Sequence, residues 1–377
     1  MGLTSYAVLV PAVGAAVLLF VATVWCWPRL AGSGVRPVGA RAGLLLATQL
    51  ALFVSVGLGA NRAFGFYSDW SDLLGLENAQ GVVAGRTVGG AGSAGPLQVL
   101  DAGRVKGAGG GSAAESGGRV QQVDIAGRAS RIAAPAYVYL PPEYFQPRYR
   151  TRTFPVAVVL TGYPGTARAL VDKLHYPRTA RELAETGRAQ PMILVMLRPT
   201  VAPPRDTECV DVPGGPQTET FFAKDLPDAV AAHYRVAPRP TGWGVVGDST
   251  GGYCALKLAL HHPRVYTAGA GLSAYYEAPL DPTTGDLFQG DDALRDRADL
   301  RWYMDHEPAP DTSLLVTTSR HGEANYDDTL DFVARVRATH RTGIASIVLD
   351  SGGHNFNTWR REIPATLQWI SGRLAAG

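Results

Sequence analysis

A chain of 377 residues with a net charge of +2 and only 18% charged side chains lacks the basic excess of a nucleic-acid binder. Its arginines far outnumber its lysines but are scattered rather than gathered into a patch. The three cysteines, Cys26, Cys209 and Cys254, form no Cys-x-x-Cys and no metal-ligand spacing, so no metal is expected.

Residues 6–27 form one apolar run without a charge, long enough to cross a bilayer. Residues 42–60 form a second, with Thr48, Gln49 and Ser55 as its only polar side chains. A secretory signal would begin with basic residues and carry a shorter apolar core, and no Lys or Arg precedes the first run. Neither run keeps the polar face of a helix on a soluble core. Arg29, Arg36 and Arg41 lie between the runs, so the positive-inside rule places that loop in the cytoplasm and everything after residue 61 outside. Arg62 opposes this weakly, with Asp69 and Asp72 close behind it. The expectation is a two-helix membrane anchor over 1–62, a two-pass protein of the cell membrane with its remaining mass extracytoplasmic.

Residues 63–118 are expected to be a linker. From about 79 the segment is dominated by Gly, Ala and Ser, which bury too little apolar surface to offset chain entropy. The piece 97–100 is strand-like but too short to assign.

From 119 to 377 strand and helix patterns alternate. Strands are expected at 120–125, 136–140, 156–160, 192–197, 243–246, 268–272, 314–318 and 344–349. Helices are expected at 167–185, 218–234, 253–261, 326–338 and 359–374, with 281–300 left as a loop or small lid. Such alternation implies an α/β fold with a mostly parallel sheet covered on both faces. In such sheets ligands bind beyond the carboxyl ends of the strands, and the chemistry-bearing motifs lie there.

The sharpest motif is Gly-Asp-Ser-Thr-Gly-Gly at 247–252, between a buried strand and a helix. Gly-x-Ser-x-Gly in that setting is a nucleophile elbow, which exposes Ser249 on a tight turn and needs small neighbours. A plain Gly-rich turn is the alternative. Thr161-Gly-Tyr-Pro-Gly165 follows an earlier strand, and the amides of Tyr163 and Thr250 are the candidate oxyanion hole, Pro164 having no N–H. His354, after two glycines beyond the last strand, is the candidate base. Glu323 is the candidate acid because it stands nearest the end of the strand at 314–318; Asp327 is the alternative, though it reads as part of the next helix's first turn.

Other residues carry less. His261 and His262 end the helix after the elbow and read as caps or surface residues. Asp206, Glu208 and Asp211 match no Ca²⁺ loop and read as solvated loop faces. Cys209 and Cys254 fall near the same rim, where an extracellular location would permit a disulfide; two free thiols are the alternative. Tyr275, Tyr276 and Trp359 either line an acyl pocket or simply pack.

Val-Tyr-Leu-Pro-Pro-Glu-Tyr at 138–144, Leu-Thr-Gly-Tyr-Pro-Gly, Gly-Asp-Ser-Thr-Gly-Gly-Tyr and Gly-Gly-His-Asn-Phe together give a family resemblance. Over roughly 120–375 the domain resembles the α/β-hydrolase esterases that include esterase D and the antigen-85-type mycolyltransferases. That resemblance implies a serine esterase or acyltransferase without metal or organic cofactor, working through an acyl-enzyme. A glutamate acid, as in the mycolyltransferases, agrees with Glu323. The expected partners are an ester-containing small molecule, lipid or cell-envelope substrate and the membrane itself. The two spans depart from the secreted mycolyltransferases, so their acceptor chemistry does not carry over. A non-catalytic, membrane-tethered scaffold keeping the hydrolase fold is the alternative.

Overall fold

A computed structural model describes residues 5–64, 95–103, 117–203 and 205–377. The chain divides into two compact units, 1–80 and 81–377, each considered by itself.

In the first unit α1 (Tyr6–Cys26) and α2 (Val35–Phe64) are joined by a 3₁₀ turn, Trp27–Leu30. Both helices are long and apolar enough to cross a membrane. Their polar groups turn inward: the Thr23 and Thr48 hydroxyls meet at 3.0 Å, and each also bonds a carbonyl one turn back, Leu19 O and Leu44 O. Large side chains such as Leu18 and Phe53 are left exposed all round. Arg36 and Arg41 fall on the first turns of α2 rather than in a loop, yet they remain at the same end of the hairpin as Arg29.

The second unit is built on a nine-stranded sheet with the order β1-β2-β3-β5-β4-β6-β7-β8-β9. Its strands are β1 (Leu97–Gly103), β2 (Arg119–Ala126), β3 (Ala133–Leu140), β4 (Val156–Leu160), β5 (Ile193–Leu197), β6 (Trp243–Asp248), β7 (Ala268–Leu272), β8 (Ser313–His321) and β9 (Gly343–Ser351). Pairing is antiparallel from β1 to β5 and parallel from there to β9. The central strands are short, uninterrupted apolar runs because helices cover both faces. Val156, Val158 and Leu160 face one core, shared with α5 (Leu226–His233), α6 (Thr250–His261), α8 (Leu300–His306) and α9 (Tyr326–Ala338). Ala157 and Val159 face the other, shared with α3 (Ala167–Asp172), α4 (Tyr176–Glu185) and α10 (Phe356–Ser371).

Three differences from the sequence reading have physical causes. The strand-like piece at 97–100, inside the expected linker, extends as β1 and pairs with β2 through a bulge after Val99. Leu97 is buried by that pairing, a long-range gain that local composition does not register. The helix expected over 167–185 is broken at His175, whose φ of 56° lies in the left-handed region, and restarts with Pro177 in its first turn. The expected loop at 281–300 holds α7 (Asp292–Ala298) and the start of α8, each opened by an aspartate cap, Asp291 and Asp299.

A disulfide joins Cys209, in the loop after β5, to Cys254 on α6 across 45 residues. Closing a loop of that length stabilises by about 4 kcal/mol in the chain-entropy model. The double variant Cys209→Ser/Cys254→Ser should therefore lose 2 kcal/mol or more in denaturant unfolding; an unchanged midpoint would contradict a bond in the native protein.

Glu362 on α10 is buried against the sheet, where Thr317 of β8 donates to its Oε2 at 2.8 Å and its Oε1 has no partner among the described residues. Burial pushes its carboxyl up to about 8; the Thr317 bond pulls it back, and Glu323 and Asp248 add to the rise. The folded protein thus holds a proton that the unfolded chain releases near 4.5, so stability is intact below that value and is lost as pH climbs toward about 8. The Glu362→Gln variant should lack this loss, gaining on the wild type by up to roughly 1.4 kcal/mol per pH unit inside the window. Parallel pH–stability curves for the two proteins would rule the linkage out.

Candidate active site

The sharp end of β6 organises the site. Ser249 stands between β6 and α6 with φ 55° and ψ −122°, a conformation that costs a non-glycine residue of order 1–3 kcal/mol. A side chain on Gly247 would overlap the carbonyl of Gly251, and one on Gly251 would overlap the carbonyl of Leu160. The turn therefore closes only with glycine at both places.

Parallel pairing of β4 with β6 sets Leu160 opposite Gly247, so the loop after β4 arrives beside the serine. A Cβ on Gly162 would come within 2.8 Å of the Ser249 Cβ. The Gly162 amide donates to Asp248 Oδ2 at 2.9 Å, and Gly165 N–H closes the turn on Gly162 O at 2.8 Å. Tyr163 is thereby the next residue along a loop anchored against Ser249. Thr250 opens α6, so its amide has no carbonyl a turn earlier to bond.

His354 lies in the loop between β9 and α10. Gly353 N–H bonds Thr358 Oγ1 at 2.8 Å, and the Asn355 side chain caps α10 through the amides of Asn357 and Thr358. Held in this way, His354 Nε2 is 2.8 Å from Ser249 Oγ. The residue is exposed on its outer side, but protein crowds its inner side. That burial pushes the imidazole below its usual range, and the Glu323 charge pushes it back up.

Glu323 follows β8. Its Oε1 accepts a short hydrogen bond from Ser273 Oγ, which in turn accepts from the Trp359 indole at 2.8 Å. The same indole meets the His354 ring edge-on at 5.2 Å between centroids. Glu323 Oε2 is buried without a partner among the described residues. No hydrogen bond joins Glu323 to His354 in this geometry; the link between them is electrostatic. Asp327 is exposed in the first turn of α9.

Asp248, inside the elbow motif but not singled out by its sequence, is fully buried. Burial pushes its carboxyl up to about 7 against the pull of the Gly162 amide and its own. The signal that marks it is an acid placed between an apolar strand and Ser249, where no solvent is expected. The acidic loop departs further from its expectation. Asp206 and Glu208, expected as solvated faces, are 2% and 1% exposed. Burial pushes Asp206 up to about 6, partly opposed by the Glu208 amide, and pushes Glu208 well above the carboxylate range, with Asp206 adding to it. His261 and His262 are not plain caps either: His261 Nδ1 and His262 Nε2 bond Glu219 Oε1, at 3.0 and 2.8 Å. Of the three aromatic residues, Tyr276 is buried and stacks on Phe332, Trp359 serves Ser273, and Tyr275 bonds Glu208 and Thr250.

A family model described as "Putative esterase" matches residues 133–370. A Corynebacterium glutamicum protein of uncharacterised function is 25% identical over 268 residues, 68% of this chain and 62% of its own length. The diacylglycerol acyltransferase/mycolyltransferase Ag85A of Mycobacterium ulcerans is 43% identical over 67 residues, 18% of each chain. The chain thus spans less than two thirds of the length of either relative. Among solved structures, a ferulic acid esterase superposes with a TM-score of 0.58 at 19% identity, covering 68% of this chain and 98% of that one, which shows the fold. The chain belongs to this esterase family, whose α/β-hydrolase type of fold it shares.

Proposed function

We propose that the chain is a membrane-anchored, extracytoplasmic serine esterase or acyltransferase working through an acyl-enzyme on Ser249. The observation that carries this reading is the 2.8 Å contact between Ser249 Oγ and His354 Nε2 at a strained elbow. His354 takes the serine proton as the oxygen attacks an ester carbonyl and returns it to the departing alcohol. Glu323 stabilises the imidazolium: its charge already acts on His354, and its unpartnered Oε2 is available to the ring's other N–H as the site tightens around substrate. The amides of Thr250 and Tyr163 receive the oxyanion, the first from the start of α6 and the second from the loop anchored by Asp248. Water or an alcohol then releases the acyl group. The substrate class is an ester-bearing small molecule, lipid or cell-envelope component.

Two observations support the outer face of a membrane. The basic residues Arg29, Arg36 and Arg41 gather at one end of an apolar helix pair. The Cys209–Cys254 bond suits an oxidising compartment. A cysteine introduced at Ser33 should react with an impermeant maleimide only after cells are permeabilised, while added protease should digest the catalytic domain in intact spheroplasts. The reverse pattern would invert the topology.

The catalytic reading is tested on the full chain in detergent. An active-site phosphonate should label the wild type, and Ser249→Ala should lose both labelling and ester turnover; persistent turnover in that variant would end the assignment. Because the neutral imidazole is the base and its pKa is lowered, kcat/KM should fall only as pH drops through a value below 6.5. The Glu323→Gln variant should move that limb to lower pH and reduce kcat. A limb that moves upward would exclude Glu323 as the charge beside His354.

A further inference from the structure

A closed ring of contacts reaches the residue after the nucleophile from behind. The Tyr275 hydroxyl lies 2.7 Å from both carboxylate oxygens of Glu208 and 3.0 Å from Thr250 Oγ1. Glu208 adjoins Cys209, whose disulfide runs to Cys254 on the same helix that Thr250 opens. The ring is therefore Thr250, Tyr275, Glu208, Cys209, Cys254 and back along one turn of α6.

Each part of this ring is independently fixed. The Tyr275 ring stacks on Tyr253 at 5.3 Å, and the Tyr253 hydroxyl donates to Ala298 O at 2.6 Å. Lys257, buried on α6, donates to Cys209 O at 2.6 Å and pairs with Glu219 Oε2 at 2.7 Å. Burial would push the Glu219 carboxyl up, but Lys257, His261 and His262 outweigh it and hold it well below the usual range. Glu208 and Cys209 both adopt left-handed backbones, φ 49° and 51°, which non-glycine residues hold only where the surroundings over-determine them. Glu208 is too deeply buried to meet substrate, so its grip on Tyr275 acts inward.

We propose that Tyr275 is a positioning residue for acyl transfer: anchored on Glu208, it holds the Thr250 side chain and thereby aims the Thr250 amide at the oxyanion. This rests on Ser249 being the nucleophile. A phenol has one proton, so the Tyr275 oxygen donates to one of its two neighbours and accepts from the other, bridging Glu208 and Thr250. The contact fixes the rotamer of Thr250 and the first turn of α6 together. An oxyanion hole works because its donors need not reorganise as charge develops, so loosening this turn raises the barrier without weakening ground-state binding.

The experiment compares Tyr275→Phe, Thr250→Val and Thr250→Ser in the full chain, with active sites titrated by phosphonate so that kcat is expressed per competent serine. Removing an oxyanion donor outright costs about 10²–10³ in kcat, and misaiming one should cost less, about tenfold. Tyr275→Phe and Thr250→Val should each lose about tenfold in kcat with KM within twofold of wild type. Thr250→Ser, which keeps the hydroxyl, should lose several-fold less kcat than Thr250→Val. The double variant Tyr275→Phe/Thr250→Val should be no worse than either single one, because both break the same contact. Multiplying losses, a change confined to KM, or full activity in both single variants would overturn the proposal. Should Tyr275→Phe fail to fold, the contrast between Thr250→Val and Thr250→Ser decides it alone. Turnover in Ser249→Ala would remove the underlying reading, whereas a dead Ser249→Ala beside a fully active Thr250→Val would remove only this inference.

Discussion

The reversal of the chain at Ser249, from the end of β6 into the first turn of α6, is the constraint on which the rest of the site depends. A left-handed serine is unfavourable by itself and persists only because its surroundings allow nothing else. Gly247 and Gly251 give up side chains so that strand, helix and the end of β4 can converge on one point. The same convergence brings the Gly162 loop within contact of the serine and lets Asp248 tie that loop down. One local distortion thus fixes two elements at once: the loop that carries Tyr163 and the helix that Thr250 opens.

Around that point the fold acts as a set of rulers. Parallel pairing places Gly247 opposite Leu160 and Leu272 opposite both Asp248 and Thr317, so the loops after β4, β6, β7 and β8 open at one edge of the sheet. His354 arrives from the next strand in the same direction, and the cap at Asn355 stops its loop from drifting. Such a site can be stiff while much of its lining lies in loops, because each loop is pinned at its root by sheet register and at its tip by a side chain.

Most of this framework was legible in the sequence because its signals are local. Apolar runs such as Val156–Leu160 and Ile193–Leu197 read as buried strands whatever surrounds them. Glycines flanking Ser249 and preceding His354 mark turns without reference to distant residues. The failures share the opposite property. β1 is a strand only because β2 offers it an edge. Glu208 is buried because a disulfide and Tyr275 draw its loop onto α6, and a run of acids gives no hint of that. His261 and His262 became part of a buried network because Glu219, some 40 residues earlier, folds back to meet them. Pattern along the chain reports burial well for apolar residues, whose burial is favourable in itself, and poorly for polar ones, whose burial depends on a particular partner.

That dependence explains the electrostatic layout beneath the site. Asp248 and Glu362 lie buried and act on one another and on the Tyr176 hydroxyl, yet neither has a cationic partner at hydrogen-bond distance among the described residues. Isolated charges there would be costly, so burial favours their neutral forms. The contrast with Glu219 is instructive: it is comparably enclosed, but Lys257 and two histidines keep it charged. The protein therefore sorts its buried acids by partner. Glu323, at the end of β8, is the acid whose charge acts on His354, so the field at the imidazole comes from one direction.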